Sequence, residues 1–180
     1  KRNNAAELYR CDDVIQYVIE RPLAHVPGSV FKYSNGDPVV LGKVLENASG
    51  MKLERFAEQY IFDPLAISQY SWTHYPDGTV ETDGGLALCC RDLAKIGKLV
   101  LQNGTWKESQ LISQNWIQES TAGRVEMTTK RSYGYYWNEM AYEMGGDTET
   151  AVFVPGDGGQ FLTVFPALDM VIVITAGNYD

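Results

Sequence analysis

A change of period along the chain constrains its fold more than any other feature. Up to about residue 120 the apolar residues recur every three to four positions. Beyond Tyr133 they gather in short aromatic and β-branched runs separated by glycine or by Pro166-Ala167-Leu168-Asp169. The first spacing suits one face of a helix, and the second suits strands. Asp12-Asp13 opens a helix pattern with Val14, Ile15, Val18 and Ile19 on one face, and Pro22 stops it. The next helix is expected from Pro38 to Ala48, with Val40, Leu41, Val44 and Leu45 as its apolar stripe and Gly50 beyond its end. A third, Leu53 to Ile61, should bury Leu53, Phe56, Ala57 and Tyr60. Residues 68–85 read as a loop anchored by Trp72 and Tyr75. A fourth helix follows from Arg91 to Leu101, facing inward through Leu93, Ala94, Ile96, Gly97 and Val100 and closed by Asn103-Gly104. Ser113 caps a short helix through Ser120, and residues 124–131 read as a charged loop. Strand-like runs then occupy 133–140, 151–154, 160–165 and 170–175. Their short connections predict about four antiparallel strands. Helices followed by an antiparallel sheet make an α+β fold.

The length of 180 residues suits a single domain, 1–180, mainly helical over 1–125 and mainly strand over 126–180. There are 15 basic against 23 acidic side chains, and Lys and Arg never run beyond two in a row, which argues against a nucleic-acid partner. No apolar run approaches the roughly 18–20 residues that a membrane-spanning helix needs. Cys11, Cys89 and Cys90 are an odd number without C-x-x-C spacing, so neither a disulfide framework nor a zinc site is expected. They read as small buried apolar residues. His25 and His74 belong to no recognisable triad pattern, and no metal or organic cofactor is implied.

Two polar constellations carry chemistry. In Pro27-Gly28-Ser29-Val30-Phe31-Lys32-Tyr33-Ser34-Asn35 a turn leads into a short extended run at the mouth of a helix. Tyr33 and Asn35 are two apart, so on an extended backbone a phenol and a carboxamide point the same way. They read either as ordinary loop residues or as a pair that can move a proton and hold an amide or ester carbonyl. The second is Pro155-Gly156-Asp157-Gly158-Gly159-Gln160 between two strands. It reads equally as a hairpin of turn residues or as a loop whose backbone N–H groups approach a developing oxyanion. Its spacing does not suit an EF-type calcium loop. The Tyr133, Tyr135, Tyr136 and Trp137 cluster reads as core and cleft wall.

The order of these motifs resembles the C-terminal part of a class C β-lactamase-like, penicillin-binding-protein-like serine hydrolase, a family that includes DD-peptidases, esterases and 6-aminohexanoate-oligomer hydrolases. Pro27-Gly28-Ser29 with Phe31 and Tyr33-Ser34-Asn35 is similar to the family's PG(S/T)xFxYSN. Leu41-Gly42 through Gly50 is similar to LGxxxExxSG, and Ile61-Phe62-Asp63-Pro64-Leu65 to IFxPLG, with Ala66 where Gly is usual. Gly84-Gly85-Leu86 with Asp92-Leu93-Ala94-Lys95, and Gly158-Gly159-Gln160 with Pro166 and Val171, complete the series. The family uses three motifs, given in class A form as S-x-x-K, S-D-N and K-T-G. The resemblance implies that Tyr33 assists the catalytic Lys and protonates the leaving group, and that Asn35 binds the substrate amide. The third motif would fall on Gly156–Gln160, its site residues Asp157, Gly158, Gly159 and Gln160, with Asp157 or Gly156 near the place of the missing cation, which weakens the case for binding a substrate carboxylate. A backbone N–H of Gly159 or Gln160 would form half of an oxyanion hole.

The first motif has no acceptable match. Ser29-Val30-Phe31-Lys32 lies in the extended run, and Ser49-Gly50-Met51-Lys52 straddles a helix-ending glycine, whereas the pair must share one helical face. The expectation is therefore a portion of a β-lactamase/DD-peptidase-like fold, incomplete at the N-terminus and at the C-terminus, inactive alone. In full-length form it would act on a small amide or ester (β-lactam, peptide or carboxylic ester) through an acyl-serine whose Ser lies outside this sequence, and the chain itself is expected to have a companion N-terminal polypeptide or to self-associate. The rival expectation is a non-catalytic ligand-binding or sensor module with the same fold.

Overall fold

Residues 5–179 are described by a computed structural model. The chain divides into two compact units, Lys1–Asp63 with Ser68–Leu88, and Pro64–Ile67 with Cys89–Asp180.

The first unit holds α1 (Ala5–Leu8), α2 (Val14–Ile19), α3 (Gly36–Ser49) and α4 (Leu53–Ala57). A two-stranded antiparallel ribbon, β1 (Tyr70–Trp72) and β2 (Leu86–Leu88), completes it. Asp13 caps α2 by accepting from the Gln16 N–H, and Asp77 accepts the Val14 N–H at 2.8 Å from a distant loop. Leu8, Val14, Val39 and Tyr75 form the buried core. A Cβ on Gly36 would lie 2.8 Å from both γ-carbons of Val18, so glycine lets α3 approach α2 closely. That contact decides which face of α3 turns inward. Gly36 and Val39 are buried, whereas Leu41 and Val44 of the expected stripe are more than half exposed. α3 is apolar on two sides, and sequence periodicity alone cannot choose between them. The helix also starts two residues earlier than Pro38 suggested.

Past Ala57 the chain makes one π-helical turn, Glu58–Phe62. The wider turn shifts the inward register, so Phe62 is buried and Tyr60, expected in the core, is exposed. Residues 68–85, expected as a loop, contain β1 and a bridge between His74 and Val80. Tyr75 anchors this segment as expected, buried to 2 % exposure.

The second unit begins with α5 (Cys90–Leu101), then the small hairpin β3 (Thr105–Trp106) and β4 (Ser109–Gln110), and α6 (Gln114–Thr121). Ser113 caps α6 as its position predicts. An antiparallel meander of β5 (Val125–Thr128), β6 (Arg131–Gly134), β7 (Trp137–Met144), β8 (Asp147–Gly156), β9 (Gln160–Phe165) and β10 (Met170–Ile174) follows, each strand beside the next. There are six strands rather than four. β5, within the expected charged loop, is exposed at every position, so it carries no apolar alternation to read. The β6–β7 turn places Tyr135 and Tyr136 at φ 46° and 69°, conformations that usually demand Gly or Asn. α5 packs on β9 and β10. A Cβ at Gly97 would come within 2.6 Å of Val171 Cγ1 and 2.7 Å of Leu162 Cδ1. Leu99, outside the expected stripe, is among the most buried residues. Cys89 and Cys90 are exposed and Cys11 is half-buried, so the cysteines are not core residues as expected. The first two fall at the start of α5, where a helix opens to solvent. Among the described residues no helix is long and apolar enough to cross a membrane.

Candidate active site

The approach to Tyr33 is built by a tight turn. The Ser29 N–H donates to Val26 O at 3.1 Å, and Gly28 takes φ 81°, the value that a type II turn requires at its third residue. Ser29 Oγ donates to the same carbonyl at 2.7 Å. The chain then runs without ladder bonds through residues 31–34, and Asn35 is already helical (φ −67°, ψ −26°) at the N-cap of α3. The extended geometry expected across Tyr33 and Asn35 therefore ends one residue early. Asn35 makes no side-chain cap hydrogen bond to α3.

Tyr33 is about half exposed. Partial burial pushes its phenol above the ordinary value, and the negative fields of Asp83 and Asp37 add to the rise. At neutral pH it is a neutral hydroxyl, able to donate a proton. Asp83 is fixed in turn by the Tyr75 hydroxyl, which donates to Oδ1 at 2.6 Å. Burial, then Asp83, drives the Tyr75 phenol upward. Tyr9 packs on Tyr75 at 4.9 Å between centroids, and burial followed by Glu81 pushes it up to about 12. The segment carrying both carboxylates closes tightly, because the Gly85 N–H donates to Glu81 O and a Cβ at Gly85 would lie 2.7 Å from that of Glu81. Sequence reasoning missed Asp83, and named Tyr75 only as an anchor of the 68–85 segment. The available signal was Asp83 immediately before Gly84-Gly85, a pair the family pattern marks.

The alternatives rejected from sequence sit in occupied geometry. Ser49 Oγ donates to Leu45 O at 2.7 Å, and Lys52 pairs with Glu46 at 3.8 Å. Nearby, a groove lined in part by Lys43, Glu46, Lys52, Glu54, His74 and Asp77 has polar side chains engaged within it, with Lys43–Glu46 at 3.2 Å and a His74–Glu54 hydrogen bond at 2.7 Å. Among the described residues no cluster of three or more His, Cys, Asp or Glu side chains is placed to hold a metal ion.

In the second unit Asp157, Gly158, Gly159 and Gln160 form the β8–β9 connection, closed by the Gly156–Gln160 pair. This is the hairpin reading, and it leaves the ligand reading open. Gly158 and Gly159 take φ 72° and 89°. The Asp157 side chain is exposed and Gly158 is buried. The Gln160 carboxamide is engaged within the chain: Nε2 donates to Ala176 O and to the Tyr179 hydroxyl, and Oε1 accepts from the Ala176 N–H at 3.3 Å. What this connection can offer a ligand is chiefly backbone. Tyr33 and Asn35 belong to the first unit and Asp157–Gln160 to the second.

A Beta-lactamase family model matches residues 1–178. The chain belongs to the Beta-lactamase family. It is 28% identical over 159 residues to the 6-aminohexanoate-dimer hydrolase of Paenarthrobacter ureafaciens, across 79% of this chain and 38% of that protein. Among solved structures, a provisionally named 6-aminohexanoate-dimer hydrolase from Bacillus anthracis superposes with a TM-score of 0.85 at 24% identity, covering all of this chain and 50% of the other. A class C beta-lactamase gives a TM-score of 0.69 at 15% identity, covering 89% and 56%. These structures share the fold, an α+β arrangement of the β-lactamase/penicillin-binding-protein type. The chain spans about half the length, or less, of each of these three proteins.

Proposed function

We propose that this chain supplies the proton-transfer and amide-binding half of a serine hydrolase that acts on a small amide or ester through an acyl-serine intermediate. The observation that carries the reading is Tyr33, a neutral phenol held at the mouth of α3 beside Asn35, in a chain matched along its length by the Beta-lactamase family. In the reaction a serine Oγ attacks the carbonyl carbon while its proton passes toward a lysine assisted by Tyr33. As the C–O⁻ that forms collapses, the Tyr33 hydroxyl protonates the leaving nitrogen or oxygen, and the proton held by the lysine passes back to restore Tyr33. Asn35 holds the substrate amide. Water then repeats the sequence on the acyl-serine.

The nucleophile in this reading belongs to a Ser-x-x-Lys motif outside these 180 residues. Two surfaces support a partner. Leu23, Val26, Val30, Leu41 and Val44 expose apolar side chains in the first unit, Leu23 to 78 %. In the second, edge strand β10 reads Met-Val-Ile-Val-Ile with no charge or proline to blunt pairing. With Asp157 where the family pattern has a cation, substrates lacking a carboxylate at that end are favoured. The same position supports the second reading, a ligand-binding module that does not acylate.

The test is intact-mass analysis after incubation with a p-nitrophenyl ester or benzylpenicillin, with this chain alone and with its full-length context restored. Label is expected only on a serine outside these 180 residues, and Tyr33→Phe should slow labelling by roughly 10²–10⁴-fold while the fold persists. Label on Ser29 or Ser49 of this chain, or equal labelling by Tyr33→Phe, would overturn the reading. Tight binding of the ester's amide analogue without any covalent label would establish the binding module.

A further inference from the structure

Residues 176–179 lie across the connection between β8 and β9, and the contact is tailored to an absence of side chains. A Cβ built on Gly158 would enter the Tyr179 ring, 2.8 Å from Cδ1 and closer still to Cε1 and Cζ. One on Gly159 would meet Ala176 Cβ at 3.1 Å and Asn178 Nδ2 at 3.4 Å. The crossing segment is tied at both ends. The Gln160 carboxamide exchanges hydrogen bonds with the Ala176 backbone in both directions, and the Asn178 N–H donates to Gly158 O at 3.0 Å.

The last bond fixes a direction. The peptide between Gly158 and Gly159 is planar and trans, so its C=O and N–H point opposite ways. With the carbonyl turned to Asn178, the Gly159 N–H is turned away from residues 176–179. Two successive glycines at positive φ have little intrinsic barrier to rotating that plane. The Asn178 bond and the ring lying on Gly158 oppose it. Tyr179 stays 69 % exposed, so burial of the phenol does not account for its placement.

We propose that Tyr179 is a positioning residue, whose ring lies on Gly158 and locks the 158–159 peptide so that the Gly159 N–H serves as the oxyanion donor of the acyl-transfer reaction. The assignment rests on the hydrolase reading above. It also names the donor, Gly159, and removes the Gln160 side chain from substrate contact, because that carboxamide anchors the strap that carries Tyr179. The ring does the locking and the hydroxyl adds only a long bond to Gln160 at 3.3 Å, so phenylalanine should serve nearly as well.

The experiment compares Tyr179→Ala, Tyr179→Phe and Gly158→Ala in the intact protein with its acylating partner present. It reads amide hydrogen exchange by NMR together with steady-state ester hydrolysis. In Tyr179→Ala the Asn178 amide is expected to lose about tenfold or more in protection while amides of β7 and β8 keep theirs. With it, kcat should fall by about 10–100-fold with KM little changed. Tyr179→Phe should restore both. Gly158→Ala, whose methyl displaces the ring, should loosen the Asn178 amide as Tyr179→Ala does. Unchanged Asn178 protection in Tyr179→Ala overturns the proposal, as does an equal loss across β7 and β8, which would mark general destabilisation. A loosened amide with full kcat overturns the catalytic assignment. If the unsubstituted protein hydrolyses nothing, the hydrolase reading fails on its own account, and the exchange data still decide whether Tyr179 locks the loop.

Discussion

Replacing Asn138 by leucine tests what holds the centre of the sheet that leads to Gly158. Asn138 is 2 % exposed on β7, directly opposite Phe153 of β8. Its Oδ1 accepts from Arg131 Nε at 3.0 Å and Nη2 at 2.7 Å, and its Nδ2 donates to Phe153 O at 3.3 Å. Two N–H groups on one atom require that atom to be oxygen, so the amide orientation is settled by its partners. Leucine has a similar volume and removes all three bonds. Loss of the forked contact to the charged Arg131, taken as one interaction on a shared oxygen, costs about 1.5–3 kcal/mol, and the longer bond to Phe153 adds about 0.5–1. The added apolar burial returns about 1 kcal/mol. The net loss is about 2 kcal/mol, or a fall of about 4–8 °C in Tm for a chain of this size. Urea titration followed by tryptophan fluorescence measures it. Arg131→Met leaves the buried Oδ1 without its donors and should cost a similar amount, but the double variant should cost much less than the sum. A coupling of at least about 1 kcal/mol is expected. A coupling near zero with unchanged m-values would refute the claim that the pair works as one unit.

Gly97→Ala should lower stability by about 1 kcal/mol, even though alanine is the better helix former, because the methyl collides with Val171 and Leu162. A rise in Tm would show that β9 and β10 yield without strain. Asp77 gives an acid-limb prediction. Burial pushes its pKa up, but the N–H groups of Val14 and Thr79 overcome that and hold it below the ordinary carboxylate value. Its contribution is therefore complete above about pH 4 and is lost as pH falls through the depressed folded value. Asp77→Asn should flatten the loss of stability below about pH 4 in a series of urea titrations, and an unchanged acid limb would remove Asp77 from the capping of α2.

Several features were legible because they depend on neighbours in sequence. Asp13 and Ser113 cap the helices that they precede, Gly50 ends α3 in a left-handed conformation, and Pro27-Gly28 makes the expected turn. Each of these needs only the local backbone. The order of the motifs around Tyr33, Asn35 and Gly158-Gly159-Gln160 was likewise enough to identify the family. The buried face of α3 was not legible, because Val39 and Leu41 are equally apolar. The choice was made by the approach of Val18 to Gly36, a contact between two helices. Tyr60 and Phe62 exchanged places through a π-helical turn that carries no sequence signature. β5 escaped notice because an edge strand exposed at every position has no inside to mark.

The candidate site divides the same way. Tyr33 and Asn35 were set by sequence as residue types at a spacing. Asp83, which raises Tyr33, reaches it from about fifty residues further along the chain and is held by Tyr75. Tyr179 reaches Gly158 across the length of β9 and β10. Sequence fixes which chemical groups are present and the local conformations they favour, because those energies are set within a few bonds. Which group feels which field, and which peptide plane is locked, depends on distances that only the folded chain brings down to a few ångströms.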